Sequence, residues 1–243
     1  MQVKHWSAFL FATLAFPITA EASERLELST DAAIVSKYVW RGIVVTDGAV
    51  VQPAVTVAYR GLSLNVWGNY DLDNVNSTDY RFTEADYTLD YTLALRNVSL
   101  SLGSIVYDFP NTGYHPTTEL YLGAGLQSFL NPSLTFYKDT DEADGSYLLL
   151  SLEHSFPLED KPVSFDFQTG VGFSSSSHSR YYYSASGSTL SDFHLGLAVP
   201  FTARENLTLV PGLYYSALLH GAMRSAADKP DNVIFSLSVS SSF

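Results

Sequence analysis

Three groups of residues in this sequence have types and spacings that could do chemistry. Ser177-His178-Ser179 sets hydroxyl nucleophiles beside a base, as a membrane lipid hydrolase would require. Neighbours in an extended segment point opposite ways, and no glycine motif for an oxyanion hole accompanies them, so no enzyme is expected. Asp139-Thr140-Asp141-Glu142-Ala143-Asp144-Gly145 gathers four carboxylates that could hold Ca²⁺ or Mg²⁺ and bridge lipopolysaccharide phosphates. A calcium hand needs Gly at its sixth position and a bidentate Glu at its twelfth. Here Gly145 is seventh and Leu150 twelfth, so Asp139, Asp141 and Asp144 are a weak metal candidate in a segment that reads as a solvated loop. Arg180-Tyr181-Tyr182-Tyr183 could stack on glycans or fold on itself. With no cysteine, thiolate chemistry and disulfides are excluded, and no cofactor is expected.

The elements that must position these residues are strands. Beyond residue 25 the apolar pattern has period 2. Leu26, Leu28, Ala32, Ile34, Tyr38 and Trp40 share one face of a first strand, and Val51, Pro53, Val55, Val57 and Tyr59 one face of a second. Arg60-Gly61 turns tightly into a third. Ala85, Tyr87, Leu89, Tyr91 and Leu93 alternate with Glu84, Asp86, Thr88 and Asp90 in a fourth, and the reading continues to Asn232–Phe243. It gives about twelve strands of roughly ten residues, the length a tilted membrane strand needs. Short turns (60–61, 96–97, 128–131, 157–162, 202–206) alternate with longer loops (42–50, 72–83, 109–116, 139–145, 174–188, 218–231). That asymmetry describes an all-β, antiparallel, up-and-down barrel in the bacterial outer membrane, with both termini on the periplasmic side.

The bulk composition agrees. Only 16% of residues are charged and 14% are aromatic, yet mean hydropathy is just +0.05, too low for membrane helices. Tyr38, Trp40, Tyr59, Phe156, Phe201 and Tyr215 sit near strand ends, where interfacial girdles belong. The chain stops on Phe243 in phase with the apolar face, an end by which barrel-assembly machinery would recognise it. Lys4, the apolar run Trp6–Ile18 and Ala20-Glu21-Ala22 form a signal peptide over residues 1–22, leaving 23–243 as one barrel domain. A net charge of −12 repels nucleic acid. The expected partners are outer-membrane lipid, lipopolysaccharide and small solutes.

Alternation points Glu27, Asp31, Lys37, Arg41, Arg60, Asp71, Glu84, Asp86, Asp90, Glu119, Glu153, Asp166, Asp192 and His194 inward. Carboxylates outnumber bases among them by ten to three. Two readings stay open. The lumen is a cation-favouring pore, or its charges pair and close it; Lys37, Arg41 and Glu119 are the expected paired network.

Ser36-Lys37-Tyr38-Val39-Trp40-Arg41-Gly42-Ile43, followed by Asp47-Gly48, Val51-Gln52 and Pro53, resembles the opening signature of the TorF-like porins, a family also catalogued as Gcw_chp. Thr118-Glu119-Leu120-Tyr121-Leu122-Gly123 resembles that family's central Glu-Leu-Tyr strand. Gln52-Pro53 departs from the family's Pro-x-x-Gln order, and the 174–188 loop is longer than expected. The resemblance implies an outer-membrane barrel with channel activity. It leaves an occluded, adhesive barrel acting through its loops as the alternative, and a barrel hydrolase as a third.

Overall fold

A computed structural model describes residues 25–77 and 80–243; the expected signal peptide, residues 1–22, lies outside the described residues. The strands are β1 (Glu27–Val35), β2 (Tyr38–Trp40), β3 (Ile43–Thr46), β4 (Val50–Tyr59), β5 (Leu62–Asp71), β6 (Arg81–Leu95), β7 (Val98–Asp108) and β8 (Thr117–Leu126). They continue as β9 (Ser133–Asp139), β10 (Ser146–Pro157), β11 (Ser164–Ser174), β12 (Thr189–Ala198), β13 (Phe201–Arg204), β14 (Leu207–Leu218) and β15 (Asp231–Ser242). Two short helices, α1 (Ser176–Tyr183) and α2 (Gly221–Ala226), lie in the loops before β12 and β15.

Each wall strand pairs antiparallel with its sequence neighbours, and β1 pairs with β15 to close the ring. Counting β12 and β13 as one strand broken at Val199–Pro200, the wall has twelve. Pro200 offers no N–H to a ladder, so the break falls where a continuous strand would lose a bond. Closure leaves no backbone edge, which is what hydrocarbon demands of a spanning sheet.

Side chains follow the pleat. On β6, Tyr87, Leu89, Tyr91 and Leu93 are exposed while Asp86, Thr88 and Asp90 are buried. On β15, Val233, Phe235, Leu237 and Val239 face out and Asn232, Ser236 and Ser238 face in. A soluble protein would not leave such an apolar exterior uncovered. In lipid it is the stable surface, with Tyr59, Phe156 and Phe201 exposed near strand ends.

The first strand departs from its expected course. It ends at Val35, and Tyr38 and Trp40 belong to an antiparallel hairpin, β2–β3, folded into the bore. They are therefore not girdle residues; Tyr38 is 2% exposed. The cause is local. Arg41 (φ 46) and Gly42 (φ 83) both take positive φ, the pair of conformations that closes a two-residue hairpin with strand-compatible twist. Burial of Tyr38 and Val39 against Val35, Val50, Tyr214 and Ile234 then holds the hairpin inside. Arg60 (φ 48) and Gly61 (φ 84) make the same turn between β4 and β5.

Candidate functional site: a plugged, carboxylate-lined bore

The hairpin tip carries Arg41 across the lumen to the wall built by β7–β10. Its guanidinium donates through Nη1 to Glu119 Oε1 and through Nη2 to Glu119 Oε2, both at 2.7 Å. Such a bidentate, charge-assisted pair is among the stronger polar contacts available. Tyr107 donates its hydroxyl to Glu119 Oε2 at 2.9 Å. The guanidinium carbon lies 4.0 Å from the Tyr147 ring centroid, 4.4 Å from Trp40 and 4.8 Å from Tyr137, within cation–π range. The Glu119 side chain is fully buried and that of Arg41 only 7% exposed.

Helix α1 completes the plug. Ser175 caps it, its Oγ accepting from the His178 backbone N–H. Gly145 leaves no room for a Cβ against His178, so the helix seats directly on the β9–β10 loop. His178 is buried among the rings of Trp40, Tyr147, Tyr182 and Tyr183. Arg41 Nη1 lies 3.1 Å from His178 Nε2. Arginine can only donate, so Nε2 accepts and the imidazole is the neutral Nδ1–H tautomer. Burial, with the Arg41 charge adding to it, pushes the His178 pKa down to about 2. Tyr183 donates to the Arg41 carbonyl at 3.0 Å, and Ile43 packs with Tyr183, Leu218 and Met223, joining hairpin, α1 and α2.

Of the expected network, the structure brings Arg41 and Glu119 together and places Lys37 elsewhere. Lys37 Nζ lies 3.0 Å from Asp47 Oδ1 and donates to Asn232 Oδ1 at 3.2 Å. Asp47 also pairs with Lys229 on the loop before β15. Hydrogen bonds from Lys229 and then Lys37 hold the Asp47 carboxyl below the usual carboxylate range. Asp86 and Asp90 are buried on the β6 wall, and Asp90 accepts from Tyr121 at 2.6 Å and Thr92 at 2.8 Å. Asp192 accepts from Tyr147 at 3.0 Å and Ser191 at 2.7 Å. Asp166 accepts from Ser155 at 2.5 Å. Glu153 is half-buried toward the short-turn end. Arg60, expected on the inward face, sits instead in the exposed β4–β5 turn over the Tyr59 ring, because positive φ places it at the turn and not along the wall.

The other candidates are absorbed by local structure. Asp139 accepts from Thr117, from the backbone N–H of Asp141 and Ala143, and from Tyr182, while Asp144 pairs with Lys138. Among the described residues no group of three or more acids and histidines could hold a metal ion. His178 spends its Nε2 on Arg41, away from any role as base to Ser177. Sequence reasoning missed the tyrosines that build the receptor for Arg41. Tyr107, Tyr137 and Tyr147, with Tyr121 packed behind Tyr137, fall on the polar phase of their strands, and an aromatic residue out of phase with the lipid face is the signal that would have found them.

The bore divides in two. Toward the long loops the inward side chains are buried against hairpin and helices; toward the short turns Glu27, Asp31, Thr56, Ser101, Thr135 and Glu153 are half-exposed, although Ser63, Asp90 and Asp166 stay buried there.

A closed, edge-free wall with an apolar exterior and a polar interior defines an outer-membrane β-barrel. Within that class the chain belongs to the Gcw_chp family, described as bacterial proteins of unknown function, whose model matches residues 19–209. Its fold is similar to that of the NanC porin (10% identity, 88% of this chain and 98% of that one, TM-score 0.56). It is likewise similar to the KdgM porin solved in complex with disordered oligogalacturonate (8% identity, 89% and 99% coverage, TM-score 0.56). No protein of curated function matches the sequence significantly.

Proposed function

We propose that this barrel is an outer-membrane channel for passive diffusion of small neutral or cationic solutes, with no chemical step. The observation that carries the reading is the imbalance of charge on the bore wall. Asp86, Asp90, Glu119, Glu153, Asp166 and Asp192 face in, while the bases reaching inside, Lys37 and Arg41, are matched by Asp47 and Glu119. The remaining carboxylates favour cations. Oligogalacturonate, the polyanion held by the KdgM porin, is a poor match for such a wall. The porin likeness supports a conduit, and the apolar outer face of β15 (Val233, Phe235, Leu237), continued in phase by exposed Phe243, supports recognition by the barrel-assembly machinery.

In planar bilayers the protein is expected to give ohmic, infrequent openings, because hairpin and α1 fill the outer half. In a salt gradient the reversal potential should be cation-biased. An inserted, folded barrel that passes anions preferentially refutes the reading. A second reading is favoured by the burial of Arg41, Glu119 and His178: an occluded barrel acting through its loops. Silence in bilayers that persists in a Glu119→Gln variant selects it.

A further inference from the structure

Arg41 behaves as a ligand delivered by its own chain. The groups that receive its guanidinium fall into two sets. Glu119, Tyr107, Tyr137 and Tyr147 belong to the wall strands β7–β10, fixed by continuous ladders to their neighbours. Arg41 and Trp40 belong to the hairpin, which shares no backbone ladder with the wall and is held there by its two ends, by apolar packing and by side-chain bonds such as Thr46 to Asp71. With the hairpin displaced, the wall would keep the Glu119 carboxylate between the Tyr137 and Tyr147 ring faces, with the Tyr107 hydroxyl as donor and His178 Nε2 as a further acceptor. That combination of a planar two-oxygen acceptor with aromatic faces suits a guanidinium better than a spherical ion or a quaternary ammonium.

We propose that this wall is a binding site for solutes bearing a terminal guanidinium, and that Arg41 occupies it as an internal competitor which such a solute displaces. The identity of that solute as cargo rests on the channel reading above; binding itself does not. Intramolecular delivery gives Arg41 a high effective concentration. The intact protein should therefore bind a free guanidinium more weakly than its wall alone would, by the fraction of time the site stands empty.

The test uses the folded barrel in detergent and methylguanidinium as the probe, followed by calorimetry at constant ionic strength. Arg41→Gly removes the competitor without strain, since glycine accepts the φ of 46° at that position. Methylguanidinium is expected to bind this variant saturably and at least about tenfold more tightly than it binds the intact protein. It should also outcompete tetramethylammonium by about tenfold. Adding Glu119→Gln should abolish binding. Equal affinity for intact and Arg41→Gly protein overturns the proposal, as do equal affinity for the two cations or insensitivity to Glu119→Gln. If Arg41→Gly does not fold alone, its refolding yield in micelles should rise with methylguanidinium and not with sodium; no rise overturns the proposal equally. A barrel that binds methylguanidinium yet stays silent in bilayers removes the channel reading and keeps the site. Conduction without binding does the reverse.

Discussion

Replacing Glu119 by Gln isolates what the Arg41 contact does. The carboxylate is fully buried, takes both terminal nitrogens of Arg41 at 2.7 Å and accepts from Tyr107. Breaking a buried pair from one side costs about 3–5 kcal/mol, because the surviving charge is left desolvated. Glutamine keeps one acceptor oxygen, so the lower figure of about 3 kcal/mol applies. The barrel need not unfold to relieve this, since its ladders close without the hairpin. The cost should appear as hairpin opening. At 1.4 kcal/mol per factor of ten, that is about a hundredfold larger open population. Trypsin reads it directly by cleaving after Arg41, and the rate follows the open population when opening is fast relative to cleavage. Cleavage should accelerate about a hundredfold at this single bond, with the heat-modifiable gel mobility of the folded barrel unchanged. An unchanged rate, or cleavage scattered along the chain, refutes the assignment of Glu119 as the latch.

Other expectations follow from the same geometry. Gly42→Val puts a β-branched residue at φ 83 with its Cβ 2.7 Å from Leu218 Cδ2, which should free the hairpin by the same trypsin assay and leave the barrel folded. His178 is depressed to about 2 by burial and by Arg41, so its contribution to docking is complete above about pH 6.5 and is lost as pH falls below that, where the released imidazole takes a proton. Trp40 fluorescence in a Trp67→Phe background should report progressive opening on acidification, and His178→Gln should flatten the response between pH 6.5 and 4.5, before Asp47 begins to titrate. Asp47, depressed by Lys229 and Lys37, contributes above its ordinary value and is lost only as pH falls below about 4. Asp47→Asn should remove that second, more acidic step, and a profile identical to the parent's would discard the clamp.

The wall was legible because its period is local. Leu89 and Tyr91 outward with Asp86 and Asp90 inward needs only the pleat and an apolar solvent. The plug was not, for two physical reasons. Arg41-Gly42 makes the same turn as Arg60-Gly61, but the strands it joins are three and four residues long, so Tyr38 and Trp40 simply continue the alternation of β1. Helix α1 has no apolar stripe; it stands on a serine cap and on rings supplied by the hairpin (Trp40) and the wall (Tyr147). The Arg41–Glu119 contact spans 78 positions, and only its charges and the family-like segments hinted at it. The same signals suggested Lys37, which three-dimensional reach assigns to Asp47.

The seam between β1 and β15 has a bearing on assembly order. The backbone N–H of Ser36 donates to the Phe235 carbonyl, and Ser36 Oγ accepts from the Phe235 backbone N–H. The root of the hairpin is thus stitched to the strand that zips the cylinder shut. Until that zipper forms, Arg41 has no enclosed chamber to enter. Sealing against lipid and corking against water are therefore tied to one another through the same short stretch of backbone.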